Sequence, residues 1–199
     1  MVPMVHVLGD SQAPGTFGGA SGVNAMCIGS ITMRRAGWAE DPTLVRGLAA
    51  GMLAPGDVVL LCFGEIDVRF KMKARMSRRQ ACTVVHELVC GYLDRVAQLD
   101  ARGAQLGIVS IIPPNRRRTA NTTVIPEGVT DEERSEYTAV LNAALRLGCQ
   151  ERGLLFVDVY SEYVDGDGLL PEELSELHGS HVGDRTKAHA LLARMRLLS

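Results

Sequence analysis

Short apolar runs that end in glycine alternate along this chain with stretches whose apolar residues recur every three or four positions. Met4–Leu8 reads as a strand that ends at Gly9-Asp10-Ser11. A loop rich in Gly, Ala and Ser is expected through Gly22, and then a second strand near Val23–Ile28. Pro42 to Leu53 has the spacing of a short helix closed by Pro55-Gly56. Asp57–Phe63 is a continuous aliphatic run, the pattern of a parallel strand covered on both faces, and Gly64 stops it. From Arg78 to about Arg102, Val85, Leu88, Val89, Tyr92, Val96 and Leu99 recur at helical spacing. Gln105–Ile112 is the next buried strand, broken by Pro113-Pro114. Thr130 with Glu133 three residues on predicts a capping box, opening a helix that runs to Gly148 or Arg152. Leu154–Val159 is a fifth strand, and Thr186–Leu198 a final amphipathic helix. Strands alternating with helices imply an α/β fold, a parallel three-layer αβα sandwich. Without repeat, linker or low-complexity segment, residues 1–199 read as a single domain.

Composition narrows the classes. With 199 residues, 46% of them hydrophobic and 22% charged, the chain falls among ordinary globular domains. A net charge of −2 speaks against a nucleic-acid footprint, although a local Arg patch such as Arg116-Arg117-Arg118 stays open as an anion contact or a solvated loop. No apolar run approaches the roughly 20 residues of a membrane helix, and no signal peptide is expected, so neither membrane nor nucleic acid is read as a partner. The five cysteines are scattered without CxxC spacing, as expected of buried free thiols in a cytoplasmic protein. Cys82, His86 and Cys90 recur every four residues, but without a fourth ligand they make no metal site. No Walker loop and no GxGxxG follows the first strand, so no cofactor is called for.

In open parallel sheets ligands bind beyond the carboxyl ends of the strands. The first strand exit carries Gly9-Asp10-Ser11, the third Gly64-Glu65-Ile66-Asp67-Val68-Arg69, and the loop before the last helix His178-Gly179-Ser180-His181. A serine becomes a nucleophile when a base stands beside it, and imidazole is the usual one. Ser11 and a late histidine meet only if both face the same sheet edge, which this fold permits.

Those residues resemble the SGNH (GDSL-like) hydrolases, in particular a bacterial branch with VLGDS, IGSITMRR, FGEIDVR, a strand ending in PP, and LFVDVYSEY before the histidine loop. The resemblance spans nearly the whole chain. It implies a five-stranded, flavodoxin-like sheet and an esterase-type site, with Ser11 as nucleophile and His181 as general base. It also implies oxyanion donors at the backbone N–H groups of Ser11 and Gly29, each such donor being typically worth about 3 kcal/mol of barrier. Asp10 would brace the turn beside the nucleophile.

Two positions depart from the family pattern. Its third block usually reads Gly-x-Asn-Asp, and here Ile66 replaces the Asn that donates to the oxyanion. Glu65 or Arg69 would then contact substrate, or the oxyanion hole is thinner. Asp10, Glu65, Asp67, Arg69 and His178 are accordingly candidate substrate contacts, with an ion-pair network at a strand end as the alternative for Glu65, Asp67 and Arg69. The family's acid stands three residues before its histidine, and here that residue is His178. Glu176 is the favoured replacement. Asp184, or a backbone carbonyl in a Ser-His dyad, is the alternative. The expected activity is cleavage of a small polar or sugar-like ester, with acyl transfer at the same site or a non-catalytic binding module as alternatives. Nothing in the sequence fixes oligomeric state.

Overall fold

The computed structural model describes residues 3–38, 40–70, 78–116, 129–176 and 181–198, and for residue 70 and residues 78–82 it describes the backbone. Five parallel strands, β1 (Val5–Gly9), β2 (Val23–Cys27), β3 (Val58–Cys62), β4 (Gln105–Val109) and β5 (Leu155–Val157), form one sheet in the order β2-β1-β3-β4-β5. The helices are α1 (Gln12–Phe17), α2 (Met33–Ala36), α3 (Thr43–Ala50), α4 (Glu65–Phe70), α5 (Arg78–Ala97), α6 (Asp131–Glu151), α7 (Tyr160–Tyr163) and α8 (Thr186–Arg194).

Alternation along the strands builds two cores. Leu8, Val59, Leu61 and Ile108 point to one face, against Met33 of α2, Leu44 and Leu48 of α3, Val85, Val89, Leu93 and Val96 of α5, and Leu141 and Leu145 of α6. Val5, Val7, Val58, Leu60 and Val109 point to the other, against Ala13 and Phe17 of α1, Tyr163 of α7, and Ala188 and Leu192 of α8. The result is the expected three-layer sandwich. Its chain passes from β1 outward to β2, then back across β1 to β3, so the strand order reverses at the exit of β1.

The predicted elements differ from the observed ones chiefly at their ends. Thr130 and Glu133 form the capping box, each side chain bonding the other's backbone N–H. The stretch expected as a loop up to Gly22 holds α1, a six-residue helix containing Pro14 and Gly15. Pro14 sits in its first turn, where a missing N–H costs nothing, and burial of Ala13 and Phe17 stabilises a helix too short to form alone. The segments Met33–Ala36 and Glu65–Phe70 are likewise short helices that periodicity does not reveal.

The thiols are a partial correction. The four described cysteines are free, and Cys62 and Cys149 are buried, but Cys27 at the sheet edge is exposed. Val85 and Val89 are buried while the neighbouring His86 is exposed, and no cluster of metal-ligating side chains occurs among the described residues. None of the helices among those residues is long and apolar enough to cross a membrane.

Candidate active site

The turn after β1 divides two tasks between neighbouring side chains. Ser11 occupies the N-cap position of α1, where a serine would ordinarily accept from the helix backbone, yet its side chain makes no capping bond. Asp10 does that work instead, its Oδ1 accepting from the Gln12 N–H at 2.8 Å. The Ser11 hydroxyl is thereby released, and it lies 2.8 Å from Nε2 of His181.

His181 reaches Ser11 from 170 residues further along the chain, and its other ring nitrogen, Nδ1, lies 2.9 Å from Oε2 of Glu176. In a neutral imidazole Nδ1–H donates to the carboxylate, leaving Nε2 to accept from the serine hydroxyl. The local backbone explains the pairing of acid and base. Ser175 and Val182 form an antiparallel bridge, the Glu176 N–H donates to the His181 carbonyl at 3.0 Å, and the Gly183 N–H donates to the Leu174 carbonyl at 2.7 Å. Glu176 and His181 therefore face each other at the two feet of the loop that joins them. Asp184 has other work, accepting at Oδ1 from the Thr186 N–H and hydroxyl at 2.9 and 2.7 Å, bonds that hold its carboxyl below the usual range. Of the partners considered for His181, the Glu176 carboxylate is the one within hydrogen-bonding distance.

Tertiary contacts seat this loop on α1. Arg185 donates from Nε to the Gly15 carbonyl at 2.8 Å, and the buried Tyr163 hydroxyl donates to the Asp184 carbonyl at 2.8 Å. Gly15 itself underlies the imidazole: a Cβ added there would stand 3.3 Å from Cβ of His181 and 3.4 Å from its ring. In the sequence Gly15 reads, with Gly18, Gly19 and Gly22, as part of a flexible glycine rim rather than as the floor under an imidazole, and Arg185 carries no signal of its own. The one signal for Gly15 is a glycine where helix propensity favours any other residue, close behind the candidate nucleophile.

On the other flank, Gly29 follows β2. The ladder between β1 and β2 runs one step past the strands, Ile28 N–H donating to the Gly9 carbonyl at 2.8 Å, which brings Gly29 beside the Ser11 turn. Gly29 has φ of 141°, a conformation that side chains strongly disfavour. Among the described residues neither the Ser11 N–H nor the Gly29 N–H donates to a backbone carbonyl.

The third strand exit contributes side chains with different tasks. Gly64 has φ of 118°, and a Cβ there would strike Ile111 and Met33 at under 3 Å, so α4 begins tight against the core. Asp67 is 1% exposed, and its Oδ2 accepts from the Met33 N–H at 2.6 Å, tying α4 to α2. Arg69 Nε lies 3.0 Å from Glu65 Oε1, one turn apart on α4. A small pocket lies between these exits, lined by Asp10, Gln12, Cys62, Phe63, Glu65, Ile111 and Ile112. Burial raises Asp10 to about 6, and burial raises Glu65 to about 7 despite the opposing charge of Arg69. Asn142 on α6 holds the β4 exit from both sides, accepting from the Ile111 N–H at 2.7 Å and donating to the Ile111 carbonyl at 2.8 Å. A polar residue on the apolar stripe of α6 is the signal by which sequence reasoning would find it.

One candidate is not brought to the site. Arg116 is held by Asp165 and Asp167 at 2.8 and 2.6 Å, so its guanidinium already has anionic partners. His178, Arg117 and Arg118 lie outside the described residues.

No protein-family profile and no curated protein sequence matches the chain. Solved structures do resemble it. A candidate acylhydrolase from Bacteroides fragilis is 19% identical with a TM-score of 0.64, covering 98% of this chain and 86% of its own. A GDSL-like lipase from Bacteroides thetaiotaomicron is 14% identical with a TM-score of 0.61, over 96% and 86% of the two chains. An aryl esterase from M. smegmatis is 16% identical with a TM-score of 0.55, over 98% of this chain and all of its own. The fold is that of solved structures named as SGNH and GDSL-type hydrolases.

Proposed function

We propose that this protein is a serine hydrolase that cleaves small polar or sugar-like esters through an acyl-enzyme on Ser11. One observation carries the reading: the unbroken chain of hydrogen bonds from Ser11 Oγ through His181 to Glu176. In this reading Ser11 attacks the ester carbonyl as His181 Nε2 takes the hydroxyl proton. Glu176 holds the ring in the tautomer that can accept and stabilises the imidazolium that forms. His181 then returns the proton to the departing alcohol, and a water, deprotonated by the same imidazole, hydrolyses the acyl-enzyme.

Negative charge develops on the carbonyl oxygen, and the N–H groups of Ser11 and Gly29 are the donors we assign to it. Ile66 has no side-chain donor to add, so the oxyanion hole rests on backbone groups. The complete triad weighs against the reading of a degenerate scaffold that binds without turnover. The free thiols fit a cytoplasmic setting.

Treatment of the folded protein with a fluorophosphonate tests the proposal. The expected result is a single adduct, mapped to Ser11 by mass spectrometry and absent from Ser11→Ala. Failure of the folded wild type to react would overturn it.

A further inference from the structure

The pocket between the exits of β1, β3 and β4 has the position and chemistry of a subsite. Asp10 and Gln12 on its wall are the chain neighbours of Ser11, whereas none of its lining comes from the described residues on the His181 side, 174–176 and 181–183. That asymmetry assigns it a part of the substrate. The alcohol leaves toward His181, which protonates it. The oxyanion points toward Gly29, on the β2 side of Ser11. The remaining substituent on the tetrahedral carbon is the acyl chain, and the β3 and β4 side is the direction left for it.

We propose that this pocket is the acyl subsite and that it takes a short acyl group carrying a hydrogen-bond donor, a hydroxyl or ammonium on the carbon next to the ester carbonyl. The proposal rests on the hydrolase reading above. Asp10 is 1% exposed, its Oδ1 serves Gln12, and its Oδ2 has no hydrogen-bond partner among the described residues. A buried acceptor left without a donor is destabilising, and a substrate hydroxyl or ammonium would supply the missing donor. Glu65, the other ionisable group on the wall besides the Cys62 thiol, is also an acceptor when ionised, with Arg69 Nε 3.0 Å from its Oε1. Burial holds both carboxyls above their ordinary range, as expected where nothing in the protein fully compensates them. Phe63, Ile111 and Ile112 supply an apolar surround for one carbon, and the free space is about the room that one water molecule occupies, too little for a fatty chain.

Phenyl propionate, phenyl glycolate and phenyl glycinate test this, because a methyl, a hydroxyl and an ammonium replace one another at a single position. With rates corrected for each ester's reactivity toward hydroxide, kcat/KM for the glycolate or the glycinate should exceed that for the propionate at least tenfold. Asp10→Asn keeps an acceptor for the Gln12 N–H but turns the free oxygen into a donor, and should bring that ratio to about one. A wild-type ratio near or below one, with Ser11 still labelled by fluorophosphonate, overturns the subsite and leaves the hydrolase reading standing. Labelling without cleavage of any of the three esters also overturns the subsite. No labelling and no cleavage overturns both. Because the wild-type ratio decides by itself, the test survives an Asp10→Asn variant that fails to fold.

Discussion

Each end of the sheet holds a histidine beside a carboxylate, and the two pairs have little else in common. At the N-terminal ends of the strands, His6 Nε2 lies 3.2 Å from Asp57 Oδ2, and His6 Nδ1 lies 3.3 Å from the Asn24 amide. Asp57 also accepts from the N–H groups of Met4 and Ala54, each at 2.9 Å. His6 and Asp57 are 4% and 6% exposed, so both ring nitrogens and both carboxylate oxygens are used up within the protein. At the opposite edge the His181 and Glu176 side chains are 26% and 41% exposed, and the third partner is a hydroxyl. An imidazole–carboxylate pair is a brace where its far nitrogen meets an amide in the interior. In the function proposed above it becomes a base where that nitrogen meets a serine at the surface.

Exchanging the imidazoles should separate the two roles most widely. His181→Ala is expected to lower kcat by four to six orders of magnitude, on the scale typical of removing a triad member, while shifting thermal stability little. His6→Ala should do the reverse, costing on the order of 2–3 kcal/mol in a denaturant titration, with turnover per folded molecule preserved. Loss of activity in a folded His6→Ala protein would break the comparison.

The carboxylates sharpen it. Glu176→Gln should reduce kcat by about two to four orders of magnitude at unchanged stability, because an amide favours the wrong imidazole tautomer. A wild-type rate would mean that another group orients His181.

Opposite pH dependences should follow from the two buried aspartates. The Met4 and Ala54 N–H groups hold Asp57 below the usual carboxylate range. Its contribution is present above the unfolded value of 3.8 and is lost as pH falls through the lower folded value. Burial raises Asp10 from 3.8 to about 6, so the folded state keeps that proton longer than the unfolded one. Stability from Asp10 is then full below 3.8 and declines as pH rises to about 6, on the order of 3 kcal/mol in all. Melting temperatures measured between pH 3 and pH 8 should lose their acid limb in Asp57→Asn and flatten at higher pH in Asp10→Asn.

The smallest effect concerns Gly15. Alanine there is the better helix former, yet its methyl would press on His181. Gly15→Ala should hold or slightly raise the melting temperature and lower kcat about tenfold, since small misplacements of a reacting group are costly. Equal activity would mean that the imidazole moves aside freely.

What sequence alone could foresee divides by the range of the physics involved. The strands were legible because burial on both faces makes β3 a continuous aliphatic run, and α6 because its cap and stripe are local. The helix α1 was not, since Gly15 and Pro14 weaken it locally and the packing of Phe17 under α8 restores it. Ser11 and His181 could be named from their motifs. The acid could only be ranked, because its spacing from His181 depends on the bridge between Ser175 and Val182, which no side-chain pattern announces. Asp67 and Glu65 share one short motif, yet Asp67 ties helices together while Glu65 lines a pocket, a distinction made by the elements packed around them.

The hydrogen bond between Ser11 and His181 joins positions 170 residues apart in the chain. During synthesis the serine leaves the ribosome long before its base exists, so the growing chain carries an ordinary alcohol. On the proposed reading, reactivity would arrive only when the segment from Leu174 through α8 has emerged and seated Arg185 on Gly15. Truncation or proteolysis before that segment would leave an inert serine rather than an unregulated one, and two separately expressed pieces divided between α6 and Glu176 should be active only together.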